Sequence, residues 1–510
     1  MAVEHPQQKS ATGDRADVRG EGAHGAGNGS GHTVEKIGGT SMSRVEDVMD
    51  NVLVGKREGE DLYRRIFIVS AYGGMTDLLL EHKKSGEAGV FALFSEGESD
   101  VDWSEALTRV GERMCQKNAE VFGDELYRQA ADQFVRERVE GARSCLSDLR
   151  RLCSYGHFQL EQHMTTVREM LAAIGEAHSA YNTSLLLKER GVNARFVDLT
   201  GWREEHRMPL DDKIREAFDE VDLARELPIV PGYVKCEEGL VRLYDRGYSE
   251  ITMARIAVIT GAREAIIHKE YHLSSADPKV VGADKVTPIG RTNYDVADQL
   301  SNLGMEAIHP RAAKGLRQNG IPLRVKNCFE PEHDGTFIDG DYRSRTPCVE
   351  IVAGRKGVVA IEVFDQDMVG AYGWDNEILA LMERFRIPVV TKDVNANSIT
   401  HYVDASLKKV KRLTRFVEER FPSAVVKVRK VALVSAIGSD LDVPGLLAHC
   451  VGELSRAALN ILAVHQNMRA VDIQFVLEES DYEAAVRALH ECVIERVDEP
   501  EDIARLVRVA

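Results

Sequence analysis

Five short segments carry residue types suited to handling a phosphoryl group or a carboxylate. Lys36-Ile-Gly-Gly-Thr-Ser41 sets a cation just before a glycine pair. A glycine pair after a strand lets backbone N–H groups approach an anion closely, and Lys36 is placed to meet phosphoryl charge. A tight turn with a surface lysine has the same appearance. Ser70 and Thr76 flank a second glycine turn, Tyr72-Gly-Gly-Met75, and could donate hydrogen bonds to a carboxylate or phosphate, or serve as ordinary turn and cap residues. In Asp245-Arg-Gly-Tyr-Ser-Glu250, Arg246 could hold a carboxylate bidentately, with Ser249 and a helix N-terminus adding donors. A surface turn with a local Arg–Glu pair is the plainer alternative. Ser274-Ser-Ala-Asp-Pro-Lys279 and His309-Pro-Arg-Ala312 say little alone.

These segments need elements to position them. A short strand at Val34 is broken by the glycine pair, and Thr40-Ser41 can cap a helix beginning near Arg44. Ile66–Ala71 reads as an apolar strand followed by helical Thr76–Leu80. Two strand–glycine–helix units in 50 residues predict an α/β sheet with function at the strand C-termini. Residues 85–190 read as mostly helical. Strand character returns at Arg195–Leu199, Pro228–Val234, Leu240–Leu243 and Glu264–His268, with a helix over Ser249–Gly261. After about residue 346 a βαββα unit occurs twice: Gly357–Val363, Asn376–Phe385 and Ile387–Thr391, then Lys430–Ile437, Val443–Ser455, Ala458–Ala463, Val471–Val476 and Asp481–Cys492. No acid–base or nucleophile constellation falls there. The fold class is α/β: an open, mainly parallel sheet flanked by helices, followed by two small βαββα modules. The expected divisions are a disordered tail over 1–32, a catalytic domain over 33–345, and modules over 346–429 and 430–510.

The whole-chain totals narrow the classes. With 510 residues, 44% of them hydrophobic, the chain can bury more than one core. A net charge of −17 opposes nucleic-acid and anionic-membrane partners. No apolar leader or run of about 18 apolar residues is found, so a cytoplasmic location is expected. None of the eight cysteines forms a C-x-x-C pair or clusters with histidine at zinc spacing, so reduced thiols and no protein metal site are expected.

The order of the segments is more specific than any one of them. Lys36-Ile-Gly-Gly-Thr-Ser41 resembles the K-F-G-G-T-S opening of aspartate kinases, and Val69-Ser-Ala-Tyr-Gly-Gly-Met-Thr-Asp77 their V-S-A-x-x-G-x-T-D/N. Gly175-Glu176, Arg246-Gly-Tyr-Ser-Glu250, Ser275-Ala-Asp-Pro-Lys279, Leu303-Gly-x-x-x-Ile-His-Pro310 and Phe329-Glu-Pro-x-x-x-Gly-Thr336 match later family segments in order, and the two repeats resemble tandem ACT domains. Tyr244–Glu250 with Ile267–Asp277 resembles the specialised form associated with ectoine biosynthesis.

The resemblance implies phosphoryl transfer from ATP, with Mg²⁺, to the β-carboxylate of L-aspartate, in a homodimer or higher homo-oligomer. Carried onto this chain, it makes Lys36, Glu250 and Arg246 the catalytic charges. Gly38, Gly39, Thr40 and Ser41 would cradle phosphate, with Lys269, Ser274 and Asp277 on the nucleotide. Ser70, Thr76, Glu176, Tyr233, Arg246 and Ser249 would form the aspartate pocket. The sequence departs from the family at His268–Ser275, where the usual Thr-Asp is His268-Lys269, and at Glu306, where a lysine is common. The ACT-like modules could take an amino-acid effector or serve dimerisation. Pro388-Val-Val390 stands where lysine-sensitive members carry Ser-Val-Asp, which implies weak or absent lysine inhibition. The rival reading is a non-catalytic amino-acid sensor with a decayed kinase site.

Overall fold

A computed structural model describes residues 31–495 except 83–84, 98, 245–246, 306 and 346–347. Residues 1–30 of the tail expected over 1–32, and Arg246 and Glu306, therefore lie outside the described residues, whereas His32 is described and meets Thr260 at 2.8 Å.

The first sheet is built from β1 (Thr33–Ile37), β2 (Arg65–Val69), β3 (Ala194–Phe196), β4 (Leu227–Pro231), β5 (Glu264–Lys269), β6 (Arg291–Asn293), β7 (Leu323–Asn327) and β8 (Thr336–Asp339). Its order is β3-β4-β2-β1-β5-β7-β8-β6. All neighbours run parallel except β7 and β8. The central strands are covered on both faces, so every residue of β2 is buried. Ile66 and Ile68 point into one apolar layer and Phe67 and Val69 into the other, as the pleat dictates. The helix Met164–Glu189 packs against this sheet and is in turn covered by Asp100–Val121 and Glu125–Ser154. Two stretches depart from the sequence reading: Thr40 and Ser41 lie within the helical turn Gly39–Met42 and do not cap the next helix, Val45–Val48, and Leu240–Tyr244 is a helical turn, not a strand. A four-residue apolar run has no period long enough to distinguish the two.

The second sheet contains β9 (Ile351–Phe364), β10 (Val389–Val394), β11 (Ser398–Val403), β12 (Val425–Ile437), β13 (Ile461–Gln466) and β14 (Asp472–Glu478). Its order is β10-β11-β9-β12-β14-β13, antiparallel throughout. Both βαββα units contribute, but they are not strung end to end. The C-terminal half of β9 pairs with β11 on one side and the N-terminal half of β12 on the other, while the C-terminal half of β12 pairs with the N-terminal half of β9 on one side and β14 on the other. The division at 429/430 falls inside β12. On one face of this sheet Val296, Leu300 and Leu303 of the first domain pack against Val431 and Leu433; on the other, Ala276 and Val281 join Phe475 and Leu489.

Candidate active site

Chain segments after β1, β2, β4 and β5 meet at the C-terminal ends of those strands. After β1 the backbone of Gly38 is extended and its N–H reaches the carbonyl of His268 at 3.4 Å. Gly39 then begins a short helical turn, Gly39–Met42. A Cβ on Gly39 would lie 2.5 Å from the carbonyl oxygen of Ala71, so the β1 and β2 turns can close on each other only without a side chain there. Ser41 donates to Glu270 Oε1 at 2.8 Å, joining the glycine turn to the end of β5. Thr40 is exposed on the same turn.

Lys36, the last but one residue of β1, directs its ammonium to Glu250 Oε1 at 3.6 Å. Both side chains are largely buried, at 13% and 12% exposure, so the pair is only weakly screened. Glu250 lies in the first turn of the helix Tyr248–Thr260, which Gly247 opens in the left-handed region at φ 103°. Its second oxygen accepts the backbone N–H of His309 at 2.5 Å. In the same first turn Ser249 lies 3.4 Å from Ser70, Oγ to Oγ. The helix N-terminus therefore faces the strand ends, where its partial positive charge favours an anion.

Glu176 enters from the helix Met164–Glu189 and is 3% exposed. It accepts the backbone N–H of Gly232 at 3.0 Å and further hydrogen bonds from the Ala71 backbone and the Tyr248 side chain. Burial pushes its carboxyl up to about 7, against the opposing pull of these bonds and of the Lys36 charge. A side chain at Gly232 would collide with Glu176 and Ser249. Thr76 is half-buried on the short helix Met75–Leu79 after β2.

The structure thus gathers Lys36, Gly38, Gly39, Ser41, Ser70, Glu176, Ser249 and Glu250. The other expected residues make different contacts. The Tyr233 hydroxyl donates to Glu169 at 3.4 Å and lines a cleft of about 390 Å³ with Trp202 and Arg207; Tyr248, not Tyr233, reaches Glu176. Lys269 ends β5, half-buried. Ser274 donates to its neighbour His272, and Asp277 caps the turn Pro278–Val281 by accepting from Lys279 N–H at 2.9 Å. His268 is a buried structural residue: its Nε2 meets Glu35 Oε2 at 2.7 Å, and Glu35 in turn takes Arg65 at 3.0 Å. Glu270, Tyr248 and the His309 amide are site groups that sequence reasoning passed over. Tyr248 and His309 lie inside segments that the sequence singles out, without these roles, whereas Glu270 becomes visible only through the pairing of β1 with β5.

A mainly parallel sheet with a lysine, a glycine turn and a helix N-terminus over its strand ends defines a phosphoryl-transfer class. Residues 32–327 match the amino acid kinase family, and residues 426–491 match an ACT domain. The chain belongs to the amino acid kinase family. Within that family it is an aspartate kinase: it is 59% identical over 464 residues to the aspartate kinase Ask_Ect of Stutzerimonas stutzeri (strain A1501), covering 91% of this chain and 98% of that one. The chloroplastic aspartokinase 2 of Arabidopsis thaliana is 24% identical over 91% of this chain and 84% of its own. Among solved structures, E. coli aspartokinase III in complex with lysine and aspartate superposes with a TM-score of 0.67 over 91% of this chain and 99% of that one, at 18% identity, a likeness of fold.

Proposed function

We propose that the gathered side chains transfer the γ-phosphoryl group of ATP to the β-carboxylate of L-aspartate, giving 4-phospho-L-aspartate and ADP. The observation that carries this reading is the position of Lys36, paired with Glu250 and within electrostatic reach of Glu176 beside the glycine turn. A carboxylate nucleophile has a pKa of about 4 and is ionised at pH 7, so no general base is required. A carboxylate oxygen forms the new P–O bond as the bond from the γ-phosphorus to the bridging oxygen breaks, and ADP leaves with that electron pair. The difficulty is charge, because an anion must approach an anion.

Lys36 lowers that barrier by neutralising the equatorial oxygens in flight, and Glu250 keeps the ammonium aimed while the His309 amide fixes Glu250. The turn at Gly38–Ser41 offers backbone donors to the phosphates. Two carboxylates, Glu250 and Glu270, lie beside that turn and would repel a nucleotide unless a cation is shared with it. The oxygen donors Ser41 and Glu270 suit Mg²⁺, which when bound supplies charge neutralisation of the phosphates. Glu176 would receive the substrate ammonium, and Ser70, Ser249 and the helix N-terminus a carboxylate. Arg246 keeps the substrate α-carboxylate by its place in the motif.

The reaction would open the aspartate-family route and, on the strength of the resemblance above, feed ectoine synthesis in the cytoplasm. The antiparallel module sheet ends in two edge strands, β10 and β13, which suit a homo-oligomer or an effector-dependent contact. The test is to trap the acyl phosphate with hydroxylamine in the presence of Mg-ATP. Hydroxamate from L-aspartate but not L-glutamate, lost in Lys36→Ala, is the expected result. No hydroxamate from folded protein with either amino acid would overturn it.

A further inference from the structure

Among the described residues, one group of three metal-ligating side chains stands far from the kinase site. His449, Glu453 and Cys492 bring one ligand atom each to within 4.8 Å of one another. His449 and Glu453 are four residues apart on the helix Leu446–Arg456 and so share a face. Cys492 comes from the turn Glu491–Glu495, which follows the helix Tyr482–His490. No sequence spacing reveals the trio, because packing of the two helices brings the cysteine across.

We propose that His449, Glu453 and Cys492 form a binding site for a divalent ion of the zinc class in the C-terminal module. The donors decide the class. Imidazole, carboxylate and thiolate together suit a borderline-soft ion such as Zn²⁺ or Co²⁺, and not Mg²⁺ or Ca²⁺, which take oxygen. His449 Nε2 is buried without a hydrogen-bond partner, a cost that a bound ion removes. Cys492 is 2% exposed in an apolar cluster with Cys450 and Leu454, and a bound ion would hold its sulfur as thiolate. Ligands at Zn–N and Zn–S distances of about 2.0–2.3 Å stand roughly 3.5 Å apart around the ion, so the trio closes by about 1 Å. Arg456 shares Glu453, but Arg456 is 66% exposed and gives way at small cost. Three protein ligands leave the fourth position to water.

The site would have a mechanical consequence. The residue before Glu491 is His490, whose Nε2 meets Ser275 Oγ at 2.9 Å and whose Nδ1 meets Glu495 at 2.9 Å. Glu495 also holds Lys285 at 3.1 Å, and Arg487 donates to the carbonyl of Val280 at 2.9 Å. An ion at Cys492 would therefore brace the surface on which the segment after β5 is docked.

The experiment uses the full chain, stripped with chelator and titrated with Co²⁺. The expected result is a thiolate-to-cobalt charge-transfer band saturating at one equivalent, lost in Cys492→Ser and in His449→Ala, displaced by Zn²⁺ and unaffected by excess Mg²⁺. Absence of the band in the wild-type chain overturns the proposal, whatever the variants do. So does a band that persists undiminished in either folded variant: in Cys492→Ser another thiol, such as exposed Cys145, would be its source, and in His449→Ala the imidazole would be no ligand. Circular dichroism establishes folding of the variants. If Cys492→Ser does not fold, the conservative Glu453→Gln decides: weakened Co²⁺ binding supports the site, and unchanged binding overturns it.

Discussion

The carboxylate of Glu176 accepts the backbone N–H of Gly232 at 3.0 Å, across 56 residues of chain, in a pocket from which water is largely excluded. That contact couples the aspartate site to pH. With its carboxyl pushed to about 7 from 4.5, Glu176 is mostly neutral below pH 7 and ionised above it. A neutral carboxyl cannot pair with the substrate ammonium. KM for aspartate is expected to fall as pH rises from 5.5 to 8, by roughly tenfold per unit on the acid side, and to level off above about 7. Glu176→Gln should raise KM and flatten the profile. The stability sign is opposite: folding favours the neutral form, so this group's contribution is complete below 4.5 and lost as pH rises through about 7. Melting curves with and without aspartate at pH 6 and 8 check both, with larger stabilisation by aspartate at pH 8.

Lys36→Ala should lower kcat by about 10²–10³-fold while the protein stays folded, because the ammonium acts on charge that develops in flight. Glu250→Gln keeps an acceptor for the His309 amide but loses the ion pair, so its loss of kcat should be smaller, with KM for aspartate nearly unchanged. Steady-state hydroxamate assays on both variants check the order.

The two glycines of the first turn should behave differently. A Cβ on Gly39 meets the Ala71 carbonyl at 2.5 Å, so Gly39→Ala must displace one turn and should cost about 1–3 kcal/mol of stability. A Cβ on Gly38 has its nearest neighbours at 3.8 Å, one of them Glu270, with Lys36 Nζ at 3.9 Å. Gly38→Ala should leave the melting temperature unchanged and raise KM for ATP. Thermal melts paired with ATP titrations separate the two effects.

Tyrosine substitutions test which ring serves Glu176. Tyr233→Phe removes a bond to Glu169 and should leave KM for aspartate within about twofold, since a long 3.4 Å hydrogen bond contributes little. Tyr248→Phe removes a donor that stabilises the Glu176 carboxylate, so the acid limb of the pH profile should move to higher pH.

Under the sheet, Glu35 is held well below the usual carboxylate range: burial pushes it up, but the Arg65 charge and the His268 bond outweigh that. Its stabilising contribution is present above 4.5 and lost as pH falls. Glu35→Gln leaves Arg65 buried without its counter-charge and should cost about 3–5 kcal/mol, read as a lower urea midpoint at pH 7 and a smaller loss on acidification.

The strand ends that carry function were legible because each lies in a short segment with its own turn chemistry: Lys36 before Gly38-Gly39, Ser70 before Gly73-Gly74, and Ser249 and Glu250 at a helix start. The side-chain direction of His268 was not. In line His268 reads only as a departure from the family pattern, and its contact with Glu35 is set by the pairing of β1 with β5, which no spacing along the chain reveals. Glu270 follows the last residue of β5, so the strand's alternation no longer fixes its direction, and it meets Ser41. The strand assigned to Leu240–Leu243 failed because four apolar residues fit either period. Tyr233 was placed by motif position, which fixes its backbone beside Gly232 but not the direction of its ring.

The long strands β9 and β12 have a consequence for any attempt to divide the molecule. Residues 426–491, the stretch that matches an ACT domain, omit the strand half Ile351–Arg355 that pairs with Leu433–Ile437. Expressed alone, that fragment would present a bare hydrogen-bonding edge along β12, the kind of edge that recruits another chain. The ACT-containing half is therefore not detachable cargo. It is interlocked, each unit borrowing backbone from the other, so a grafted or truncated version needs residues 351–355 restored by permutation or linker before its behaviour reports on the intact enzyme.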